Sequence, residues 1–329
     1  MFKGMVFGSM PRTKRIARAL SRYQQGKIDR EQLDQIYRRE LKNLLDLVSS
    51  ARLSRSSDGM YRWDDLFNPL SSYMGIEVNG LKRFYDNNFF FRQPVFSRAI
   101  SYGDSVVCAN LVEDLKSLGY ADRVEAVSLS LPGPLTLVAN SLVVGNAYTS
   151  RESLARDYIE KVVLAEAERC SREGVKHLDI HEPELAFVTV PDEFIDLYKR
   201  VSELFKGSIW ITIYFGYNSE NLKKIGRISR DVRIIPVVDL VSSKLLDREA
   251  IEKVGKDLDN LREVGLGIID SRNTRMESVE ELKRFLEEFA KTLRNAENIY
   301  VTHNTNLEFL PEKIAVEKIK LIGRLATGL

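Results

Sequence analysis

From residue 124 to its end, the sequence repeats one pattern: a short apolar run rich in β-branched residues, a polar turn, and an amphipathic helical stretch. The apolar runs are Val124–Ser130, His177–His181, Ile209–Phe215, Ile234–Leu240, Gly265–Asp270 and Asn298–His303. The helical stretches cover about 151–173, 192–206, 219–229, 247–262, 277–294 and 312–326. Strands that are apolar on both faces and alternate with helices predict a parallel sheet covered by helices.

The first half of the chain is expected to supply the remaining strands. Met5–Gly8 is a short β-like run, the pattern after it predicts two helices, Lys14–Gln25 and Arg30–Ser50, and a second strand is expected near Met60. Eight parallel strands joined by helical crossovers predict an α/β fold, a TIM (β/α)8 barrel forming a single domain over residues 1–329. No glycine-rich phosphate-binding motif follows a predicted strand, so nucleotide-binding folds are disfavoured.

Composition excludes several classes of partner. The net charge is only +2, so no overall field favours nucleic acid or an anionic membrane, and no apolar window is long enough to span a bilayer. The two cysteines, Cys108 and Cys170, belong to no closely spaced pair. The sequence therefore predicts a cytoplasmic protein with neither a disulfide framework nor a cysteine zinc site.

The charge is nevertheless uneven along the chain. Basic residues are concentrated near the amino terminus in one run, Arg12, Lys14, Arg15, Arg18 and Arg22. Two interpretations stay open at this point: the run binds a polyanion, or it is the solvated face of a helix.

Polar residues cluster where the predicted strands end, which is where barrel enzymes place their chemistry. These residues are His181, Glu182, Tyr214, Asp239, Asp270, Arg272, Asn273, His303, Asn304 and Asn306. A purely structural barrel does not need such a concentration. The alternative is that these groups cap helices or pair with the backbone.

Short motifs in chain order resemble the cobalamin-independent methionine synthase superfamily. They are Gly8-Ser9-Met10-Pro11-Arg12, the segment Leu81–Phe89, Gly133-Pro134-Leu135-Thr136 and Ile180-His181-Glu182-Pro183-Glu184-Leu185. They resemble that family's G-[SF]-x-P-R turn, its K-W-F-x-T-N-Y segment, its G-P-[VL]-T turn and its I-D-E-P-x-L strand end. The resemblance covers nearly the whole chain and implies a single barrel where the full enzyme has two.

The resemblance also implies which of the two barrels this is. The family's catalytic barrel binds zinc through an H-x-C strand end, a later glutamate and a D-C-G-L turn, whereas this sequence has Thr212, Tyr214 and Thr305 at the corresponding places. The segments Ile211–Gly216, Val237–Leu240 and Gly267–Asn273 are similar instead to the amino-terminal, zinc-free barrel. No metal cofactor is therefore expected from the resemblance.

In the amino-terminal barrel of that family, basic residues contact the polyglutamate tail of folate. Carried over, this role implies substrate binding by Lys14, Arg15, Arg18 and Arg83. Substrate binding is also expected of Arg272 and Asn273, which stand in the segment similar to that barrel's G-L-I-N-G-R-N. An arginine guanidinium can donate two parallel hydrogen bonds to one carboxylate, which suits binding of a polyglutamate. The aromatic run Phe89–Phe91, with Tyr85, either packs over one end of the barrel or stacks on a pterin.

Two functions follow from the resemblance. In the first, the chain is an accessory barrel that binds 5-methyltetrahydrofolate polyglutamate beside a separate zinc-bearing barrel, in methyl transfer to homocysteine. In the second, it is an independent methyltransferase-like or lyase-like enzyme that uses His181, Glu182, Asp239 and His303, with or without a non-zinc metal. Histidine and carboxylate suit zinc, iron or manganese, but no closely spaced ligand pair is present.

Overall fold

The computed structural model describes residues 1–328, and Leu329, the last residue of the predicted domain, lies outside them. The strands are β1 Phe2–Gly4, β2 Ser56–Ser57, β3 Glu77–Arg83, β4 Phe90–Phe96, β5 Val127–Pro132, β6 Leu142–Val143, β7 His177–His181, β8 Ser208–Ile213, β9 Ile234–Asp239, β10 Glu263–Ile269 and β11 Asn298–His303. The helices are α1 Lys14–Gln24, α2 Arg30–Ser50, α3 Leu70–Tyr73, α4 Val106–Ser117, α5 Pro134–Asn140, α6 Arg151–Tyr158, α7 Leu164–Arg172, α8 Asp192–Leu204, α9 Ser219–Ile228, α10 Arg248–Leu258, α11 Val279–Ala290 and α12 Glu312–Thr327.

Eight strands form one parallel sheet in the order β1-β11-β10-β9-β8-β7-β5-β2. The two ends of this sheet meet where Met5 bridges Arg55 in parallel. The Val6 N–H donates to the Arg55 carbonyl at 3.2 Å, and the Ser57 N–H donates to the Val6 carbonyl at 3.1 Å. The sheet is therefore closed, and the predicted (β/α)8 barrel is confirmed. Among residues 1–328, no helix combines the length and apolar character needed to cross a bilayer.

Local sequence signals predicted the bounds of the helices more accurately than those of the first two strands. The Asp29 side chain accepts the Gln32 N–H at 2.8 Å and the Gln32 side chain accepts the Asp29 N–H at 3.0 Å, a capping box that begins α2 where it was predicted. The predicted strand Met5–Gly8 is wrong in its bounds, because β1 pairs with β11 over Phe2–Gly4. The second strand lies just before Met60, at Ser56–Ser57.

A buried ion pair lies inside the barrel. The Arg55 guanidinium donates to the Asp179 carboxylate at 2.8 Å, and both side chains are essentially inaccessible. Ser128 donates to the other Asp179 oxygen at 2.7 Å, and the guanidinium lies 3.9 Å from the Trp210 ring centroid. Burial of a charge is costly unless it is paired, so these contacts are what allows Arg55 to remain in the interior.

The prediction that the two cysteines form no disulfide is wrong. Cys108 on α4 and Cys170 on α7 are bonded, with Cα atoms 5.7 Å apart, and both are fully buried. They are separated by 62 positions in the sequence. Helices α4 and α7 pack side by side because β5 and β7, the strands that follow them, are neighbours in the sheet, so the spacing of the cysteines in the sequence gave no sign of the pairing.

A second, three-stranded sheet in the order β3-β4-β6 stands beside the barrel. Strands β3 and β4 form an antiparallel hairpin. Phe91 of this hairpin is buried against Phe67, with ring centroids 4.9 Å apart, whereas Phe90 is about half exposed. The hairpin turn is thereby held against the barrel, on the side where the strands end.

Candidate functional site

Barrel closure brings the four predicted catalytic candidates to one end of the fold. His181 ends β7, Glu182 follows it, Asp239 ends β9 and His303 ends β11. All four side chains are fully buried. The sequence correctly predicted their common location, but the hydrogen bonds around each one differ and decide what each can do.

Glu182 fixes the turn that precedes α5. Its carboxylate accepts the Leu135 N–H at 3.1 Å, the Thr136 N–H at 2.6 Å, the Thr136 hydroxyl and the Tyr198 hydroxyl at 2.7 Å. A Cβ on Gly133 would lie 2.1 Å from a Glu182 oxygen, so only glycine fits there. Burial raises the pKa of Glu182 to about 7 against the effect of these donors. The carboxylate has no free acceptor position for a ligand.

Asp239 organises two neighbouring loops. Its carboxylate accepts the backbone N–H groups of Phe215, Val241 and Ser242 at 2.9, 3.0 and 2.8 Å. The Asn304 amide donates to both of its oxygens at 3.2 Å. Phe215 has a positive φ of 71°, a strained conformation that the bond from its N–H to Asp239 helps to hold. Burial raises the pKa of Asp239.

His303 has a hydrogen-bond partner at each ring nitrogen. Its Nε2 accepts the Phe7 N–H at 3.2 Å, so Nδ1 carries the hydrogen that is donated to the Thr305 carbonyl at 2.7 Å. The Phe7 ring stacks on the imidazole with centroids 4.3 Å apart. Burial lowers the pKa of His303 to about 4. Both ring nitrogens are occupied, so neither is available to a metal or a substrate.

His181 differs from the other three candidates. Neither of its ring nitrogens has a hydrogen-bond partner among the described residues. Its ring centroid lies 6.0 Å from those of Phe7 and Tyr214, and a Cβ on Gly8 would approach it to 2.7 Å. Burial, followed by the charges of His303 and Arg55, lowers the pKa of His181 to about 3. The imidazole is therefore neutral at physiological pH.

Replacing His181 by Phe should make the protein less sensitive to acid. The folded-state pKa of about 3 lies below the ordinary value of 6.5, so the stability linked to neutral His181 is present above pH 6.5 and lost as the pH falls towards the folded value. Between about pH 6.5 and 5, the wild type should lose about 2 kcal/mol more unfolding free energy than His181→Phe. Urea unfolding at several pH values measures this, and equal losses in both proteins would contradict it.

An aromatic cluster from the hairpin turn covers the barrel mouth. Phe84 and Tyr85 contact Phe215, with ring centroids 5.9 and 5.6 Å apart. Phe89 lies 4.9 Å from Phe309, which in turn is 6.1 Å from Phe215. These contacts agree with the packing interpretation of the aromatic run.

Two of the predicted substrate-binding residues, Arg83 and Arg272, lie around the same cover. Arg272 donates to the Asn87 side chain at 3.2 Å, and Arg83 donates to the Asn87 carbonyl at 2.6 Å. Asn273 lies apart from them and accepts the Arg275 N–H at 2.9 Å. Arg83 therefore closes the hairpin turn on itself, and Arg272 joins that turn to the loop after β10.

The residues that the resemblance sets at the family's zinc positions, Thr212, Tyr214 and Thr305, all carry hydroxyl groups. Thr212 donates to the Ile180 carbonyl at 3.2 Å, and the buried hydroxyls of Tyr214 and Thr305 have no partner among the described residues. Burial raises the pKa of Tyr214 well above its ordinary value. Neutral hydroxyls lack the charge and softness of the thiolate and imidazole ligands that hold zinc. Within residues 1–328, no group of three or more His, Cys, Asp or Glu is placed to hold a metal ion.

The basic run forms a separate feature on the outside of the barrel. Lys14, Arg15, Arg18 and Arg22 line a groove of about 830 Å³ between α1 and α2. Arg39 of α2 faces them, and the sequence interpretation had missed it. The sequence predicted a helix over Arg30–Ser50, but not that one of its faces would lie opposite the basic face of α1. We call this feature the basic groove.

Most of the charge in the basic groove is uncompensated. Arg15 pairs with the buried Glu40. Lys14, Arg18, Arg22 and Arg39 are exposed and form no ion pair with any residue in the range 1–328. Four free cations around an open groove give a strong local positive potential on a molecule whose net charge is close to zero.

The fold and the site define an α/β-barrel protein of the kind that places its polar residues at the carboxyl ends of the strands, here under an aromatic cover. The sequence model of one protein family, the N-terminal domain of cobalamin-independent synthase, matches residues 57–294 of this chain. The chain belongs to the cobalamin-independent methionine synthase family.

Individual relatives agree with this assignment. The methionine synthase of Sulfurisphaera tokodaii is 26% identical over 325 residues, which cover 95% of this chain and 88% of that protein. The methionine synthase of Thermococcus kodakarensis is 23% identical, with 95% and 89% covered. Among solved structures, the B12-independent methionine synthase of Shewanella sp. W3-18-1 in complex with selenomethionine has a TM-score of 0.77 at 18% identity, covering 99% of this chain and 96% of that one.

Proposed function

We propose that this chain is an accessory, folate-binding barrel that works beside a separate zinc-bearing catalytic chain in the transfer of a methyl group from 5-methyltetrahydrofolate to homocysteine. The basic groove is the observation that carries the proposal. In this groove, two facing helices present four cationic side chains that form no ion pair within the described residues and can therefore bind a polyanion. The relatives are methionine synthases, so a polyglutamyl folate is the polyanion we assign to the groove. The proposal places the protein in the cytoplasm.

The geometry of the groove suits a flexible chain of carboxylates. Its basic residues recur along the exposed face of α1, so successive carboxylates can meet successive cations. Ala19, Ile28 and Ile36 line the groove between them and give it an apolar floor. An open groove of this kind binds a polyglutamate mainly through charge, so the affinity should fall as salt rises.

The state of the barrel mouth supports an accessory role. Glu182, Asp239 and His303 have their polar atoms occupied by the protein itself. Thr212, Tyr214 and Thr305 offer no ligand that suits zinc. The chemistry that activates homocysteine as a thiolate would then belong to a second chain.

Replacing Arg18 and Arg39 together by Ala tests the groove. Both side chains are exposed and unpaired, and they lie on opposite helices, so their removal should leave the fold intact. We expect the Kd for 5-methyltetrahydrofolate triglutamate to rise at least tenfold at low salt, with a smaller ratio at high salt. The Kd for the monoglutamate should change much less, because it lacks most of the polyanionic tail. Isothermal titration calorimetry at two salt concentrations measures both.

The matched control is Arg151→Ala with Lys291→Ala. This variant removes the same charge from exposed positions outside the groove and should bind the triglutamate like the wild type. If control and groove variant weaken binding equally, the effect is one of net charge and the groove is not the binding site. Unchanged affinity in the groove variant contradicts the proposal directly.

One observation favours the second candidate function, an independent enzyme. The ring nitrogens of His181 are buried without a partner among the described residues, as are the hydroxyls of Tyr214 and Thr305. Buried polar groups without partners often meet a ligand or water. Elemental analysis of the purified protein separates the two candidates: a stoichiometric, tightly bound metal in the absence of any second chain would argue for independent catalysis.

A further inference from the structure

A cleft on the opposite side of α1 from the basic groove is used by neither function described above. It has a volume of about 460 Å³ and lies between the loop after β1, the loop after β2 and the start of α12. Arg12 and Ile16 line it from one side, Trp63 from another, and Glu308 and Glu312 from a third. We call it the rim cleft. Its volume is within the range of small-molecule sites.

The walls of the rim cleft are aromatic and apolar. Tyr61, Trp63 and Phe89 line it together with Met60. Trp63 is only 7% exposed, and its indole N–H donates no hydrogen bond to any residue in the described range. Aromatic side chains that line a cavity can attract a cation bound within it.

Acidic residues outnumber basic residues around the rim cleft. Asp64 is neutralised by Arg12, whose guanidinium lies 3.2 Å from it and also donates to the Trp63 carbonyl at 2.9 Å. Asp65 accepts hydrogen bonds from Phe67 and Asn68 and is part of the loop structure.

Glu308 and Glu312 are the other two acidic residues of the rim cleft. Neither carboxylate has a hydrogen bond or ion pair with any residue between 1 and 328. Glu308 is partly buried, and burial, with the nearby charge of Asp65, raises the pKa of Glu308 to about 8. A bound cation would relieve this unfavourable placement of a carboxylate beside another acid.

We propose that the rim cleft binds a small methylated onium ion, a quaternary ammonium or a sulfonium, with the cation between the aromatic rings and the Glu308 carboxylate. Aromatic faces and an unpaired carboxylate around one cavity are the combination that recognises such ions, because the cation is weakly hydrated and its methyl groups pack against rings. The site is separate from the basic groove, which has the opposite charge. The proposal therefore does not depend on the proposed folate-binding role.

Fluorescence titration with choline tests the proposal. The chain has two tryptophans, and Trp210 is fully buried under Arg55 in the barrel interior, so a change caused by a ligand in the cleft reports Trp63. We expect a saturable change with choline that is absent in Trp63→Phe. Trimethylsulfonium as a second probe distinguishes the two kinds of onium ion.

The neutral isostere and a charge variant separate cation recognition from simple packing. 3,3-Dimethylbutan-1-ol has the shape of choline without its charge, and we expect at least tenfold weaker binding. Glu308→Gln should raise the Kd for choline at least tenfold, whereas the exposed control Glu77→Gln should not change it. A circular dichroism spectrum confirms that Glu308→Gln is folded. Triglutamate binding in the same variant should equal that of the wild type, which keeps this test distinct from that of the basic groove.

Binding should also strengthen from about pH 6 to 9 in the wild type, since the ionised form of Glu308 attracts the cation. The charged and titratable groups around it are Asp65, Arg12, Asp64, Glu312 and the buried Tyr214. A non-saturable response to choline, equal binding of the neutral isostere, or an unchanged Kd in Glu308→Gln would each overturn the proposal.

Discussion

Asp179→Ala is expected to lower the free energy of unfolding by about 3–5 kcal/mol, which is a large fraction of the stability of an ordinary domain. The variant leaves the Arg55 guanidinium inside the barrel with its positive charge unpaired. Two of the guanidinium nitrogens already lack a hydrogen-bond partner in the described structure, so no nearby group can take over from Asp179. Contact with the Trp210 ring offsets only part of the loss. Urea unfolding followed by circular dichroism measures the change.

Two further variants show whether the unpaired charge is the cause. Replacing both partners, as Arg55→Met with Asp179→Leu, should recover most of the lost stability, because no buried charge remains. Glu152→Ala removes one partner of the exposed pair with Arg156 and should cost less than about 1 kcal/mol. If the double variant is as unstable as Asp179→Ala, the barrel interior depends on packing around these side chains and the electrostatic explanation is wrong.

Reduction of the Cys108–Cys170 disulfide is expected to lower the free energy of unfolding by about 4 kcal/mol. The bond closes a loop of 62 positions, and a cross-link of that length removes a large amount of conformational entropy from the unfolded chain. Both cysteines are fully buried, so the reductant should act after partial unfolding and the reaction should be slow under native conditions. Denaturant unfolding of the oxidised and the reduced protein measures the difference.

Cys108→Ala with Cys170→Ala is the matched control. This variant should resemble the reduced protein in stability, within the smaller effect of the lost sulfur packing, and should not respond to reductant at all. Titration of free thiols in the denatured, unreduced protein gives an independent check, since a bonded pair yields none. Identical midpoints for oxidised and reduced wild type would contradict the stabilising role of the bond.

The arrangement of the polar residues bears on how the family fold is used here. Hydrogen bonds donated to the Glu182 and Asp239 carboxylates hold the loops at the barrel mouth, and the aromatic cover lies over them. The uncompensated charges lie elsewhere, in the positive basic groove and the negative rim cleft on the two sides of α1. Ligand binding in the basic groove, with a barrel mouth fixed by its own contacts, is what the proposed accessory function requires.

The fold could be predicted from the sequence because its signals are local. Runs such as Ile234–Asp239, apolar on both faces and separated by amphipathic helices, have few stable arrangements other than a parallel sheet wrapped in helices. The helix bounds followed from caps such as the box at Asp29. Strand ends were also local, which is why His181, Asp239 and His303 were expected together. The two-residue strand at Ser56–Ser57 has too little pattern of its own, and only pairing with β5 defines it.

What the sequence by itself determined is therefore the barrel, the order of its elements and the end at which its polar residues gather. The tertiary structure alone decided which of those polar residues have their polar atoms occupied by hydrogen bonds within the protein. It paired Arg55 with Asp179 and Cys108 with Cys170, and it placed Arg39 across from the basic face of α1. The physical reason is that such contacts join positions far apart in the chain, and their geometry depends on how the closed barrel rotates each element about its axis, which the periodicity within any one element does not specify.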